Sequence, residues 1–398
     1  MANYARRMTT MAFTASVVNG LFGNMTNPNI ISFAGGAPAK EALPIDLVRQ
    51  LTDEVIREDK FGVRALQYGP IQGMPELRQV VVDELLSPKG IQADADDVII
   101  VAGGLEGINL VCQVYIDPGD IILVEAPTFV HSAEIFAMFE ANCVGVKTDD
   151  DGMDPEDLEE KIKALHPKMI YVIPTFQNPG GITLSLERRK KIAELAAQYD
   201  VLVLEDDPYR DIRYSGEDLP PIKTFDTSGN VILANSFSKI FSPGARLGYV
   251  VAKKEDIRHL VDAKSATNSF TSMLPQVLCE EFFRRGYYPE HHKKLCALYR
   301  ERRDAMMKGL DEYFPEGTKH SYPDGGLFVW VQLPGGINTT DLLPEAQEAG
   351  VAYVPGEGFF TDAPGLGTNC MRMSYGNTQP DKILEGCRIL GGLIKSKL

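Results

Sequence analysis

Several groups that can hold an anion, stack on a flat ring or handle a proton fall just after short apolar runs of this 398-residue chain. Gly103-Gly104-Leu105 opens a helical pattern, and a helix start gathers unpaired N–H groups that favour an anion. Phe129 offers a ring, and Asn178 offers an amide inside QNPGG (177–181). Asp206 and Tyr209 sit in EDDPYR (205–210), a carboxylate and a phenol suited to holding protons. Ser236, Ser238 and Lys239 follow in NSFSK (235–239), and Arg246 lies seven residues beyond. Each has an ordinary explanation when taken singly. Gly103-Gly104 reads as a tight turn, Phe129 as core, Asp206 as a helix cap, Asn178-Pro179-Gly180 as a turn and Lys239 as a surface lysine. Their joint occurrence after separate apolar runs favours a single small ligand.

The elements that must position these groups are legible as a pattern. Residues 98–102, 121–125, 169–173, 201–205 and 231–234 are short Val- and Ile-rich runs bounded by turn residues, as in strands buried on both faces. Between them lie amphipathic stretches at 105–115, 154–165 and 185–199, with helix starts expected at Asp154-Pro155 and Ser185-Leu186-Glu187. Such alternation implies βαβ crossovers, a mostly parallel sheet and helices on both faces. Ligands of such sheets bind beyond the carboxyl ends of the strands, which is where the groups above fall. After about residue 275 the texture changes to α+β. A long helix over 289–313 precedes a strand at 327–333, a helix at 339–350 and strands at 351–354 and 371–375. The first forty residues hold no complete domain and are expected to pack on that second unit or on a partner subunit.

Composition narrows the function classes. Forty basic and fifty-five acidic side chains give a net charge of −15, a poor match to nucleic acid or an anionic membrane. No apolar run approaches the roughly 18 residues of a membrane span. The six cysteines are scattered without a CxxC pair, which reads as free thiols in a reducing cytoplasm. No metal is expected, and the His291-His292 pair reads as a solvated helix face. GGLEG (103–107) is not a GxGxxG, so a dinucleotide gains little support.

One segment carries a resemblance. NSFSKIFSPGARLGYV (235–250) resembles the cofactor-lysine segment of the class I/II pyridoxal-phosphate aminotransferases, the aspartate-aminotransferase-like superfamily. YGPIQG (68–73), QNPGG, EDDPYR, PDGGLFVW (323–330) and MRMSY (371–375) match in order and spacing, from about residue 30 to the C-terminus. SFAGGAP (32–38) is most similar to the 2-aminoadipate, kynurenine and aromatic aminotransferase branch. The resemblance implies the α/β pyridoxal-phosphate transferase fold of type I. A large domain over 45–275 would hold a mostly parallel seven-stranded sheet, and a smaller α+β domain would combine 1–44, with its N-terminal arm, and 276–398. It further implies a cytoplasmic homodimer that passes the amino group of an L-amino acid to a 2-oxo acid such as 2-oxoglutarate, by a ping-pong route with pyridoxal 5′-phosphate as cofactor.

Carried residue by residue, the resemblance makes Lys239 the covalent anchor and the base that moves the Cα proton. Such a lysine must be largely neutral once released. Asp206 would keep the pyridine nitrogen protonated. Tyr209 and Asn178 would bond the ring oxygen, and Phe129 would stack on the ring. The phosphate would meet the turn Gly103-Gly104-Leu105 through backbone N–H groups, together with Ser236, Ser238, Arg246 and a Tyr68 supplied by a second subunit. Arg372 would hold the substrate carboxylate bidentately, with Asn178 and the backbone near Gly36 lining that pocket. Without the motif Arg372 reads as an ordinary surface residue.

Two departures bear on specificity. GGLEG lacks the hydroxyl that many relatives place in the phosphate turn, so contact there would be through the backbone. The segment 15–22 (ASVVNGLF) lacks the basic residue that acid-preferring relatives carry in the N-terminal helix, which favours an apolar or aromatic side-chain pocket. Two rivals stand beside this reading. One is another type-I reaction such as C–S lysis, which shares the Cα proton step. The other is a non-catalytic effector domain, disfavoured by the net charge of −15, by the absence of a helix-turn-helix segment and by undegraded catalytic positions.

Overall fold

The structure, a computed structural model, describes Tyr4, Ala5, Arg7, Met8 and residues 29–57, 59–363 and 365–398. The expected helix at 15–22 and most of the N-terminal arm lie outside the described residues.

Eight strands form the main sheet: β1 (Val98–Val101), β2 (Ile121–Ala126), β3 (Asn142–Asp149), β4 (Gly152–Met153), β5 (Met169–Val172), β6 (Leu202–Asp206), β7 (Val231–Ser236) and β8 (Gly248–Val251). They lie in the order β1-β8-β7-β6-β5-β2-β3-β4. β7, β6, β5, β2 and β3 are parallel neighbours, β8 runs antiparallel between β1 and β7, and β4 is a two-residue return from β3. Without that return it is the mostly parallel seven-stranded sheet expected. Alternation sorts the buried strands onto two faces. Met169 and Tyr171 of β5 pack into one apolar cluster, while Ile170 and Val172 pack into another.

All five apolar runs are strands, within a residue or two. β3 and β8 escape the pattern for different reasons. β3 (NCVGVKTD) lies toward the edge, is mostly part-exposed and polar, and so lacks an apolar run. β8 is four residues long and starts at Gly248, where a Cβ would stand 2.9 Å from the Gly103 carbonyl carbon. The helix Pro155–Leu165 starts as expected, with Asp154 Oδ1 accepting the Glu156 N–H at 2.9 Å. Ser185 precedes the helix Leu186–Tyr199 but makes no capping bond through its side chain.

A second, antiparallel sheet contains β9 (Lys319–His320), β10 (Phe328–Gln332), β11 (Val354–Pro355) and β12 (Cys370–Ser374), in the order β9-β10-β12-β11. Its register sets Arg372 of β12 between Trp330 of β10 and Val354 of β11. The largest apolar cluster runs from the main sheet through Phe328 and Met373 of this one, so the two sheets share packed side chains. Among the described residues no helix is long and apolar enough to cross a membrane.

Candidate active site

Most of the groups singled out from sequence lie at one edge of the main sheet, in turns that follow β1, β2, β5, β6 and β7, and Arg372 comes from β12 of the second sheet. Asp206 ends β6 and is buried. Its Oδ2 accepts the Tyr171 hydroxyl at 2.8 Å, and that hydroxyl accepts from Ser132 Oγ at 2.7 Å. Burial pushes the Asp206 carboxyl up to about 7; the Tyr171 bond opposes this, and the adjacent Asp207 adds to it.

Lys239 follows β7, with its Nζ donating to the Gly36 carbonyl at 2.8 Å and lying 5.7 Å from the Tyr209 ring centroid. Burial lowers this amine to about 8, and the charges of Arg372 and Arg246 push the same way. Gly36 is tightly placed, since a Cβ there would stand 2.8 Å from Phe328 Cζ. Its carbonyl faces the amine, so the segment meets the site through Lys239. The Tyr209 phenol is raised by burial against the field of Arg372, and its ring meets Phe328 edge-on at 5.7 Å.

Arg372 is buried, contrary to the surface role that its residue type suggests. Its Nη1 donates to Asn178 Oδ1 at 2.8 Å and its Nη2 to the Ala34 carbonyl at 2.6 Å. The guanidinium lies 4.5 Å from the Phe328 ring centroid and 5.2 Å from that of Phe359. Among the described residues its Nε is buried without a hydrogen-bond partner, and burial lowers the group to about 10. Asn178 touches both Arg372 and Tyr209 and so ties two functions together.

The turn after β1 forms a cup. Gly103 has φ +91°, which favours glycine, and a Cβ on it would stand 2.4 Å from Arg246 Nη2. The first helical bonds run from Glu106 and Gly107 N–H to the Gly103 carbonyl, which leaves Gly104 and Leu105 N–H as open donors among the described residues. Arg246 Nη2 donates to the Ala102 carbonyl at 3.0 Å, and Ser236 Oγ donates to Ser238 Oγ at 2.8 Å. Phe129 is part-buried at the start of the helix Val130–Met138, with its ring 5.3 Å from that of His131.

Tyr68 stands apart. It is 84% exposed, with its ring edge-on to Phe270 on the surface of this chain.

Pattern reading missed Tyr171, Ser132, Glu106, Lys264, Phe328 and Phe359. Tyr171 sits in the strand MIYV and passes for core. Lys264 passes for a surface lysine of the helix Lys254–Thr267, yet its side chain is fully buried and donates to Glu106 Oε1 at 2.9 Å. The other Glu106 oxygen takes the Ala102 N–H, the peptide next to the cup.

These features fit pyridoxal phosphate. A helix start with open N–H groups beside an arginine suits its phosphate, a buried carboxylate suits its ring nitrogen, and an amine driven toward neutrality suits its aldehyde. The unpartnered Nε of Arg372 suits a carboxylate on the substrate.

Comparison with known proteins agrees. Residues 28–390 match the family model for aminotransferase class I and II. The chain is 39% identical to aromatic-amino-acid aminotransferase 1 of Thermococcus litoralis, over 98% of this chain and 93% of that one. It is 35% identical to the 2-aminoadipate transaminase of Thermus thermophilus, over 96% and 95%. The kynurenine aminotransferase of Pyrococcus horikoshii, solved in complex with PMP, superposes with a TM-score of 0.92 at 37% identity, covering 99% of this chain and 97% of that one. The multiple substrate aminotransferase of Thermococcus profundus superposes with a TM-score of 0.93 at 39% identity, over 99% and 98%. The chain therefore belongs to the class I and II aminotransferases, enzymes that use pyridoxal 5′-phosphate to move an amino group from an amino acid to a 2-oxo acid.

Proposed function

We propose that Lys239 anchors the cofactor and then carries the substrate Cα proton, with the other groups of the site dividing the remaining work. Bound here, pyridoxal phosphate supplies an aldehyde for covalent capture and a ring that accepts electron density from Cα. Asp206 holds a proton at the ring nitrogen. Tyr209 and Asn178 bond the ring oxygen, and Phe129 covers one ring face. The N–H groups of Gly104 and Leu105 hold the phosphate with Ser236, Ser238 and Arg246. Arg372 grips the substrate carboxylate, exchanging its internal acceptors for a charged one, and so fixes Cα above the ring. The observation that carries this reading is the state of Lys239: an amine lowered to about 8, beside two arginines and bonded to a carbonyl rather than to a carboxylate.

The donor we propose is an aromatic or other apolar L-amino acid, with 2-oxoglutarate as acceptor. The absence of a basic residue from 15–22 supports this, as do the similarities to an aromatic-amino-acid and a kynurenine aminotransferase. The enzyme works as a homodimer in the cytoplasm, with Tyr68 serving the neighbouring site. Its exposure, next to exposed Val63 and Leu66, supports the dimer, and six free cysteines support the compartment. A panel of donors with 2-oxoglutarate tests the substrate. Phenylalanine, tyrosine or kynurenine should give the highest kcat/KM, and a strong preference for aspartate would overturn the assignment. With donor alone, turnover should stop at one equivalent of oxo acid per site.

A further inference from the structure

We propose that Tyr171, backed by Ser132, is a positioning residue for the reaction: it keeps Asp206 ionised and directs one of its oxygens to the ring nitrogen. This inference rests on the role given to Asp206 above. The three residues come from three elements. Ser132 lies on the helix Val130–Met138, Tyr171 on β5 and Asp206 at the end of β6. Tyr171 pairs in register with Leu204, two residues before Asp206, so its side chain lies on the same face of the sheet as that carboxylate.

Proton direction in the chain is fixed at its carboxylate end, because an ionised Asp206 can only accept. The Tyr171 O–H therefore donates to Asp206 Oδ2 at 2.8 Å, and the Tyr171 oxygen accepts from Ser132 Oγ at 2.7 Å. A phenol oxygen that accepts a bond is a better donor through its own hydrogen. Burial drives the Tyr171 ionisation far upward, so this group keeps its proton. Among the described residues Tyr171 is the one hydrogen-bond donor on the Asp206 side chain, and Oδ1 is left for the ring nitrogen.

The surroundings make that single donor matter. Asp207 is the next residue and is paired with Arg210 at 2.9 Å. Glu125 of β2 faces the same region, accepts the Ile173 N–H at 2.9 Å and is raised to about 8 by burial, so it is mostly protonated near neutral pH. Tyr209 also senses the Asp206 charge. Burial and the charge of Asp207 therefore both favour a protonated Asp206, which would leave the ring nitrogen without its proton. A cation in place of Tyr171 would hold Asp206 in a fixed ion pair and weaken its basicity. A neutral phenol stabilises the charge and leaves the carboxylate basic enough to serve the ring.

The test compares holoenzymes loaded with cofactor labelled with 15N in the ring. Tyr171→Phe keeps the ring that packs edge-on at 5.3 Å from Phe136 and removes only the hydroxyl. Its 15N resonance should move toward that of an unprotonated pyridine. Turnover should fall about 10- to 100-fold, the range of a lost hydrogen bond to a charged group, with KM little changed. The acid limb of the kcat profile should move to higher pH, because Asp206 then takes up its proton sooner as pH falls. Ser132→Ala should show the same three changes to a smaller degree, and it serves alone if Tyr171→Phe does not fold. An unchanged 15N resonance in these variants, with Asp206→Asn shifting it, would overturn the role of Tyr171. An unchanged resonance in Asp206→Asn as well would overturn the reading of Asp206 itself.

Discussion

Lys239 and Lys264 are close in sequence, the first half-buried and the second fully buried, and the structure treats them in opposite ways. Lys264 is fully buried on the helix Lys254–Thr267, but it meets the Glu106 carboxylate at 2.9 Å and Asn268 Oδ1 at 3.1 Å. Burial lowers its proton affinity and Glu106 restores part of it, so the pair persists as a charged strut between two helices. Lys239 meets a carbonyl, and the nearby charges of Arg372 and Arg246 are both positive. Burial and like charge act together there. Desolvation alone thus does not make a lysine reactive. The sign of the neighbouring charge decides whether the amine stays an ammonium or becomes a base.

The sharpest way to break the contrast is to remove each amine. Lys239→Ala should fold and lose about four orders of magnitude or more in turnover, since anchor and base vanish together. Asp206→Ala should come next, with a loss of about two to three orders of magnitude, read in single turnover with saturating cofactor. Near-wild-type rates in either variant would refute the role concerned.

Lys264→Met should act on stability. Leaving the half-buried Glu106 without its cation, though still bonded to the Ala102 N–H and Asn268, should cost about 1–3 kcal/mol in a denaturant titration. Adding Glu106→Gln should recover much of that loss, and the cofactor should still attach at Lys239. If Lys264→Met instead abolished cofactor attachment in a folded protein, the division between strut and base would fail.

The smallest effect is a pH dependence. Lys239 releases its proton at about 8 in the folded protein and at 10.5 when unfolded. Between these values the unfolded chain binds more protons, so this residue makes the cofactor-free protein more stable as pH rises. Comparing urea midpoints from pH 7.5 to pH 10 with those of Lys239→Met isolates the term; the wild type should gain relative to the variant across that window. A parallel pair of curves would contradict the lowered amine.

The strand ends are legible in sequence because buried parallel strands are apolar runs, and the turns that leave them must lie at one edge. Asp206, Tyr209, Asn178 and Lys239 are found that way. Arg372 is not, because its burial depends on a second sheet and on two phenylalanine rings, Phe328 and Phe359; only a motif signals it. Tyr171 is hidden because a tyrosine in an apolar strand looks like packing until its hydroxyl finds Asp206. β3 is hidden by its own polarity. Tyr68, exposed on this chain, can be judged only against a partner.

Sodium borohydride reduction of the holoenzyme, followed by peptide mapping, is the most direct test of the contrast between the two lysines. The expected result is a phosphopyridoxyl group on Lys239, none on Lys264, and no stable label in Lys239→Ala. A label on Lys264, or trapping that persists in Lys239→Ala, would contradict the assignment of Lys239 as the anchoring amine.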